Sequence, residues 1–326
     1  MDFSRREFIK KSAIAAVGAK VDSLPKNETI PGVRDFTELV KSLRENPDWK
    51  KQLNIYKRTV IHEDQEHAKV VPISGNSLLL GYEVKGIESS INITSMLGGG
   101  AIPRSADSGL LIHTHPASLS LGDKTNVRRL QALRAGSESR NFGSCDLPSI
   151  SSGAWSESGD LVALASSEAD KEHDYTLCFV VVDSIAAYYV AVDTNAKESF
   201  AKEMMKSHTL SNTLTNILSH NKSLYNHFTA FSSSKKQGFL ANLRDCSKDA
   251  RGVRSYAGTD ADEFKSVLTN FVSHRESLFK KYRGKLEDAQ KKSDECYGKA
   301  PVKSPNISGY GKALHDLGYS FQYDYI

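Results

Sequence analysis

His113 and His115 stand one residue apart at the end of an apolar run, in "GLLIHTHPASLSLGDKTNV", residues 109–127. On an extended strand, residues i and i+2 face the same side, so the two imidazoles project together. Hydrolytic zinc needs three protein ligands and one open position, and such a pair supplies two of the three. Pro116 stops the strand and turns the chain. Ser120-Leu121-Gly122-Asp123 then precedes a helical segment. That Ser-x-x-Asp order is a capping pattern, which would hold Asp123 in the first turn, facing back toward the strand end. Asp123 is the expected third, anionic ligand. Asp146, in "FGSCDLPS", is the alternative. A histidine pair taken alone is more often a polar strand end, and it is the order of residue types around it that favours a metal.

His113-Thr114-His115-Pro116 with the following Ser-x-x-Asp resembles the signature of the JAMM/MPN metalloproteases. That signature is an upstream Glu, then His-Ser/Thr-His-Pro, then Ser-x-x-Asp. The resemblance spans about residues 66–192 and is specific at the His-Thr-His-Pro core. It implies an α/β fold, a mixed sheet of the cytidine-deaminase-like type. It also implies Zn2+ held by His113, His115 and Asp123, with a glutamate as general base and Ser120 supporting the oxyanion. Glu66, which opens "HAKVVPI", matches the family's placement of the glutamate; Glu63, Glu83 and Glu88 are its rivals. The interval from His115 to Asp123 is shorter than is usual in the family. Around Asp146, Gly143 stands where the serine belongs and Ser144 comes one residue late. The implied reaction is hydrolysis of a peptide or isopeptide bond in a protein or peptide substrate. A metal-free scaffold or binding module of the same family is one alternative. An amidohydrolase or PHP-like barrel is another, but its His-x-His would stand nearer the domain start, with many βα units after it. No Gly-x-Ser-x-Gly elbow supports serine nucleophile catalysis.

The elements that must position these residues are legible in part. Asp35-Phe36-Thr37-Glu38 reads as a helix start, and Phe36, Leu39, Val40 and Leu43 follow helical spacing. Pro47 ends that helix, and Asp48 is placed to cap a second one bearing Trp49, Leu53 and Tyr56. From about Ala68 the period changes. "AKVVPI", "SLLLGYEV", "SINITS" and "GLLIHTH" are short aliphatic and β-branched runs separated by Gly and Asn, which is strand and turn chemistry. "DKTNVRRLQALRAG" reads as a helix stopped by Gly136. The Ser/Gly-rich segment up to Gly159 reads as a loop. "DLVALAS", "YTLCFVVVDS" and "AAYYVAV" read as strands. Beyond Asp193 the pattern is helical, with a long amphipathic helix from Asp262 to Glu295. The terminal "YSFQYDYI" alternates as a closing strand would. The chain thus divides into an α/β part, residues 35–195, and a helical part, 196–326, which offers a surface for a partner.

The N-terminus, "SRREFIKKSAIAAVGAK", places two arginines ahead of a short apolar run. That order resembles a bacterial twin-arginine export signal, which carries folded cargo to the periplasm. Residues 1–34 are read as this signal and a linker. No cysteine follows the apolar run, so a lipid anchor is not expected. The chain's 326 residues, 39% hydrophobic and 25% charged, suffice for a sizeable core. A net charge of +4 with no dense basic block after the N-terminus gives no support to nucleic-acid binding. No apolar stretch is long enough for a membrane span, so no insertion is expected once the signal is removed. Export would place the four cysteines in an oxidising space, with Cys246 and Cys296 the expected pair.

Overall fold

The computed structural model describes residues 35–79, 81–85, 102–122, 126–136, 143–150, 153–155, 159–171, 173–235, 238–248, 259–300 and 306–326. The N-terminal segment, the "SINITS" run, Glu88 and Asp123 lie outside these residues.

The chain opens with two helices, α1 (Phe36–Glu45) and α2 (Pro47–His62). The Asp35 carboxylate accepts from the Glu38 amide at 2.8 Å and starts α1. Asn46, not Asp48, caps α2. Its side-chain oxygen accepts from the Asp48 and Trp49 amides, and Pro47 takes the first helical position, where a missing N–H costs nothing. The sheet then begins with β1 (His67–Ser74), β2 (Ser77–Leu78) and β3 (Tyr82–Lys85), followed by β4 (Ser108–Thr114). Two short helices, α3 (Ala117–Leu121) and α4 (Val127–Arg134), lead away from β4. Gly136, at φ 82°, supplies the left-handed residue after α4.

Next comes α5 (Asp160–Ala169), where a strand was expected from "DLVALAS". Asp160, Leu161, Val162, Leu164, Ala165, Ser166, Ser167 and Glu168 are buried, so the segment is a helix covered on nearly every side and shows no strand alternation. Gly159, at φ 119°, makes the turn that starts it. The sheet resumes with β5 (Thr176–Val182) and β6 (Ala186–Val192). The helical stretch follows as α6 (Phe200–His220), α7 (Lys222–Lys235), α8 (Phe239–Lys248), the long α9 (Thr259–Cys296) and α10 (Ile307–Asp316). The chain closes with β7 (Tyr319–Tyr325).

The strands form one mixed sheet of seven, ordered β2-β1-β4-β5-β6-β7, with β3 also paired to β1. Only β4 and β5 run parallel, from Ser108↔Thr176 to Thr114↔Val182. β7 pairs with β6 along its whole length, so the C-terminal stretch returns to the sheet. Helices cover both faces. Leu110 and Ile112 of β4 point into the cluster beneath α1 and α2. Leu111 points the other way, into the cluster shared with α5, α6, α9 and α10. A third cluster joins α6, α7, α8 and the first half of α9 through Leu214, Phe228, Phe264 and Phe271. Among the described residues, no helix is long and apolar enough to cross a membrane.

Candidate metal centre

The period of two along β4 decides where its histidines go. With Leu110 and Ile112 on one face, Leu111, His113 and His115 share the other. The His115 amide still donates to the Val182 carbonyl at 2.9 Å, one step beyond the last paired residue of β4. Both imidazoles therefore sit at the carboxyl end of the parallel pair, where open α/β sheets place their ligands. Both are buried, and their rings meet edge-on with centroids 4.9 Å apart. Phe179 packs its ring 6.2 Å from that of His113.

The third member comes from α5. His113, His115 and Asp160 each offer a ligand atom, and these atoms lie within 4.8 Å of one another. Asp160 Oδ1 is 3.1 Å from His113 Nδ1, and Oδ2 is 3.4 Å from His115 Nε2. Tetrahedral zinc with donors at about 2.1 Å sets neighbouring donors roughly 3.4 Å apart. The spacing found here suits such an ion, and the two-nitrogen, one-carboxylate donor set suits its chemistry.

Two of the three candidate ligands, His115 and Asp160, are held from behind. His115 Nδ1 lies 3.0 Å from the Asp146 carbonyl, a pure acceptor. That nitrogen therefore keeps its proton, and Nε2, which faces Asp160, is the one that a metal would use. The Asp146 backbone is fixed in turn: its amide donates to Asp183 Oδ2 at 2.7 Å. Asp183 also accepts from the Ile185 and Ala186 amides and the Tyr188 hydroxyl. Asp160 Oδ2 accepts from the Ser149 amide at 2.6 Å and its hydroxyl at 2.9 Å, while the Asp160 amide donates back to Ser149 Oγ. This reciprocal pair starts α5 and aims its first residue, although Ser149 and Asp160 are 11 residues apart.

Glu66 joins the cluster from the neighbouring strand. The antiparallel register Ala68↔His113 brings the residue just before β1 beside the histidines. Glu66 is buried, with Oε2 3.0 Å from His113 Nε2. Of its rivals, Glu63 engages His67 at 2.8 Å, and Glu83 stands opposite Lys69 in the backbone register of β1 and β3.

The electrostatics favour a cation. Burial works to lower the pKa of both histidines. For His113 the bonds to Asp160 and Glu66 outweigh it and raise the pKa above the ordinary value. For His115 the charges of Asp146 and Asp160 raise it well above. Burial works to raise the Asp160 pKa, yet the bonds to both histidines hold it well below the carboxylate range. In the absence of a metal, protons occupy the place of the positive charge.

The expected residues are thus only partly brought together. His113, His115 and Glu66 converge. Asp146 touches the site by its carbonyl, with its carboxylate 3.5 Å from the same nitrogen, His115 Nδ1, so it backs a ligand rather than joining the cluster. Ser120 is buried in α3, where its hydroxyl turns back on the Ala117 carbonyl. Ser149 is the serine bonded to a candidate ligand. Asp160 and Ser149 escaped the sequence reading. The overlooked signal was a glycine followed by Asp at the head of an Ala- and Leu-rich run, which is a helix start. Compared with family models, curated proteins and solved structures, the chain finds no match.

Proposed function

We propose that this chain is a zinc-dependent hydrolase of the JAMM/MPN type, cleaving a peptide or isopeptide bond in a protein or peptide substrate. The observation that carries the proposal is the buried His113–His115–Asp160 cluster with Glu66 against it. The His-Thr-His-Pro order and the upstream glutamate point to the family. The third ligand is Asp160 in this reading, in place of Asp123 or Asp146. The open mixed sheet speaks against the barrel alternative, which needs a closed parallel one.

Held by His113, His115 and Asp160, Zn2+ would supply Lewis acidity that acidifies a water and polarises a carbonyl. Glu66 takes the proton of the attacking water and delivers it to the leaving amine. Its carboxylate borders the cluster at His113 Nε2 while Nδ1 of the same ring faces Asp160, so reaching the water calls for a swing of the Glu66 side chain past the ring. The Asp146 carbonyl keeps the proton of His115 on Nδ1. Ser149 holds Asp160 in one rotamer, so that its carboxylate faces both imidazoles. Tyr297, half exposed and close enough to feel the charges of Asp146 and His115, stands at the rim where a substrate would lie.

Residues 1–34 act in this reading as a twin-arginine signal that delivers the folded, metal-loaded protein to the periplasm. Elemental mass spectrometry of the purified chain tests the core of the proposal. About one zinc per wild-type chain, and almost none in a His113→Ala/His115→Ala variant, is expected. Hydrolysis of peptide or isopeptide substrates that a chelator abolishes would then establish the activity. Metal without hydrolysis would favour a binding module, and no metal in either protein would end the hydrolase reading.

A further inference from the structure

Two cysteines meet at the rim of the metal centre. Cys145 precedes Asp146, whose carbonyl fixes His115, and Cys296 is the last residue of α9. Their segments are joined side by side. Cys145 and Tyr297 form a parallel bridge. The Cys145 amide donates to the Lys299 carbonyl, and the Gly298 amide donates to the Cys145 carbonyl, both at 3.1 Å. Arg129 ties the same two segments, donating to the Gly143 and Gly298 carbonyls. Bridged strands lie about 4.8 Å apart, so a residue next to the bridge falls within the roughly 4.4–6.8 Å between Cα atoms that a disulfide spans. The two thiols are near enough to shift each other's titration, and both residues are fully buried. The expected Cys246–Cys296 pair does not form, because Cys246 belongs to the separate cluster under α8.

We propose that Cys145 and Cys296 are a redox pair whose disulfide clamps the rim of the metal centre. The oxidant is a disulfide donor, of protein or small-molecule type. The Cys296 thiolate attacks one sulfur of the donor, forming a mixed disulfide and releasing the first donor thiol. The Cys145 thiolate then attacks Cys296 Sγ, closing the bond and releasing the second. Two electrons pass to the donor, and the two protein thiol protons go to its sulfurs. Cys296 is the first nucleophile because its chain neighbours Glu295 and Tyr297 are exposed, whereas Ser144 beside Cys145 is buried, so an opening of the rim reaches Cys296 first. Burial of both sulfurs confines the exchange to folding or to an opening of the rim. Once formed, the bond fixes Asp146, and through it His115, to the end of α9. Tyr297 is fixed with it.

The inference rests on the metal-site reading for its consequence but not for its chemistry, and the two are tested separately. The full-length chain is purified reduced, then equilibrated with mixtures of reduced and oxidised glutathione, alkylated under denaturing conditions and digested. Two of the four thiols should become protected together, in one linked peptide joining Cys145 and Cys296. The oxidised form should melt about 5–10 °C higher and lose zinc to a chelator about tenfold more slowly. Four alkylated thiols throughout the series, a glutathione adduct alone, or a link through Cys178 or Cys246 would overturn the pairing. Equal melting and equal zinc loss in both forms would overturn the clamp. Should no zinc bind at all, the hydrolase reading fails, and the linked peptide with the melting shift still decides this one. These measurements use the wild-type chain, so a cysteine variant that misfolds leaves them intact.

Discussion

β4 and α5 deliver candidate metal ligands to the same point by opposite means. The histidines of β4 are aimed by a local rule, alternation along a strand whose neighbours pair with it on both sides. Asp160 is aimed by a distant one, because the start of α5 is held by Ser149, itself on a loop fixed through Asp146 and Asp183. The strand fixes direction within two residues. The helix start needs three chain segments in place before its carboxylate points anywhere in particular. Ligands of the first kind are robust and readable, and ligands of the second kind are neither.

The ligands themselves give the largest expected effect. Asp160→Ala should empty the site as completely as His113→Ala, bringing zinc from about one per chain to near zero by elemental analysis. Asp123→Ala should leave zinc in place. The opposite result, zinc lost with Asp123 and kept without Asp160, would break the comparison and return the third ligand to the segment after Pro116.

Glu66→Gln comes next and separates holding from chemistry. The amide keeps the shape and can still meet His113 but cannot take a proton. Zinc content should stay near wild type while hydrolysis falls by about 10²–10⁴-fold. Loss of zinc in this variant would instead make Glu66 a ligand.

The difference between the two kinds of ligand also explains what could be read from the sequence. Runs such as "YTLCFVVVDS" and "AAYYVAV" are β-branched and lie between turn residues, and they became β5 and β6. The long helix was legible because Phe264, Leu268, Phe271, Leu278 and Tyr282 keep one face over many turns. His113 and His115 were legible for the same local reason, and Glu66 through the placement that the family resemblance implies. "DLVALAS" was not. Its few residues suit a strand or a helix, and what decides is the packing around it, against α6 and the sheet, together with Gly159 at its head. Ser-x-x-Asp at Asp123 satisfied the pattern locally, whereas the bonded serine and aspartate are 11 residues apart. A motif search over short spacing cannot see a pair that a loop has separated.

The pH dependence follows from the charges. Histidines with raised pKa values stabilise the metal-free fold fully below their ordinary 6.5, and this is lost as pH rises through the raised values. Asp160, held low, contributes above its ordinary 3.8, and this is lost as pH falls through the lowered value. The cluster therefore supports the metal-free protein best between about pH 4 and 6.5. Zinc must displace the protons from both rings, so its affinity should climb with pH and reach half its change above 6.5. Melting curves with zinc and with chelator, taken across this range, should diverge as pH rises. Curves that stay parallel would mean that the histidines do not bind the metal.

The smallest expected effect tests the distant rule itself. Ser149→Ala removes the hydroxyl that donates to Asp160 Oδ2 and accepts from the Asp160 amide, but it spares the Ser149 amide, which also donates to Oδ2 at 2.6 Å. The loss is that of a helix cap, about 0.5–2 kcal/mol of stability. Zinc should weaken by about tenfold at most, because the carboxylate keeps one of its two anchors. A serine that only capped α5 would cost stability and leave zinc affinity unchanged. A serine that aims the ligand should cost both. The double variant, Ser149→Ala with Asp160→Ala, compared in metal-free stability with the two singles, tests the hydroxyl–carboxylate bond itself. Additive losses of stability would mean that the hydroxyl serves only the α5 amide and that Asp160 is aimed without it.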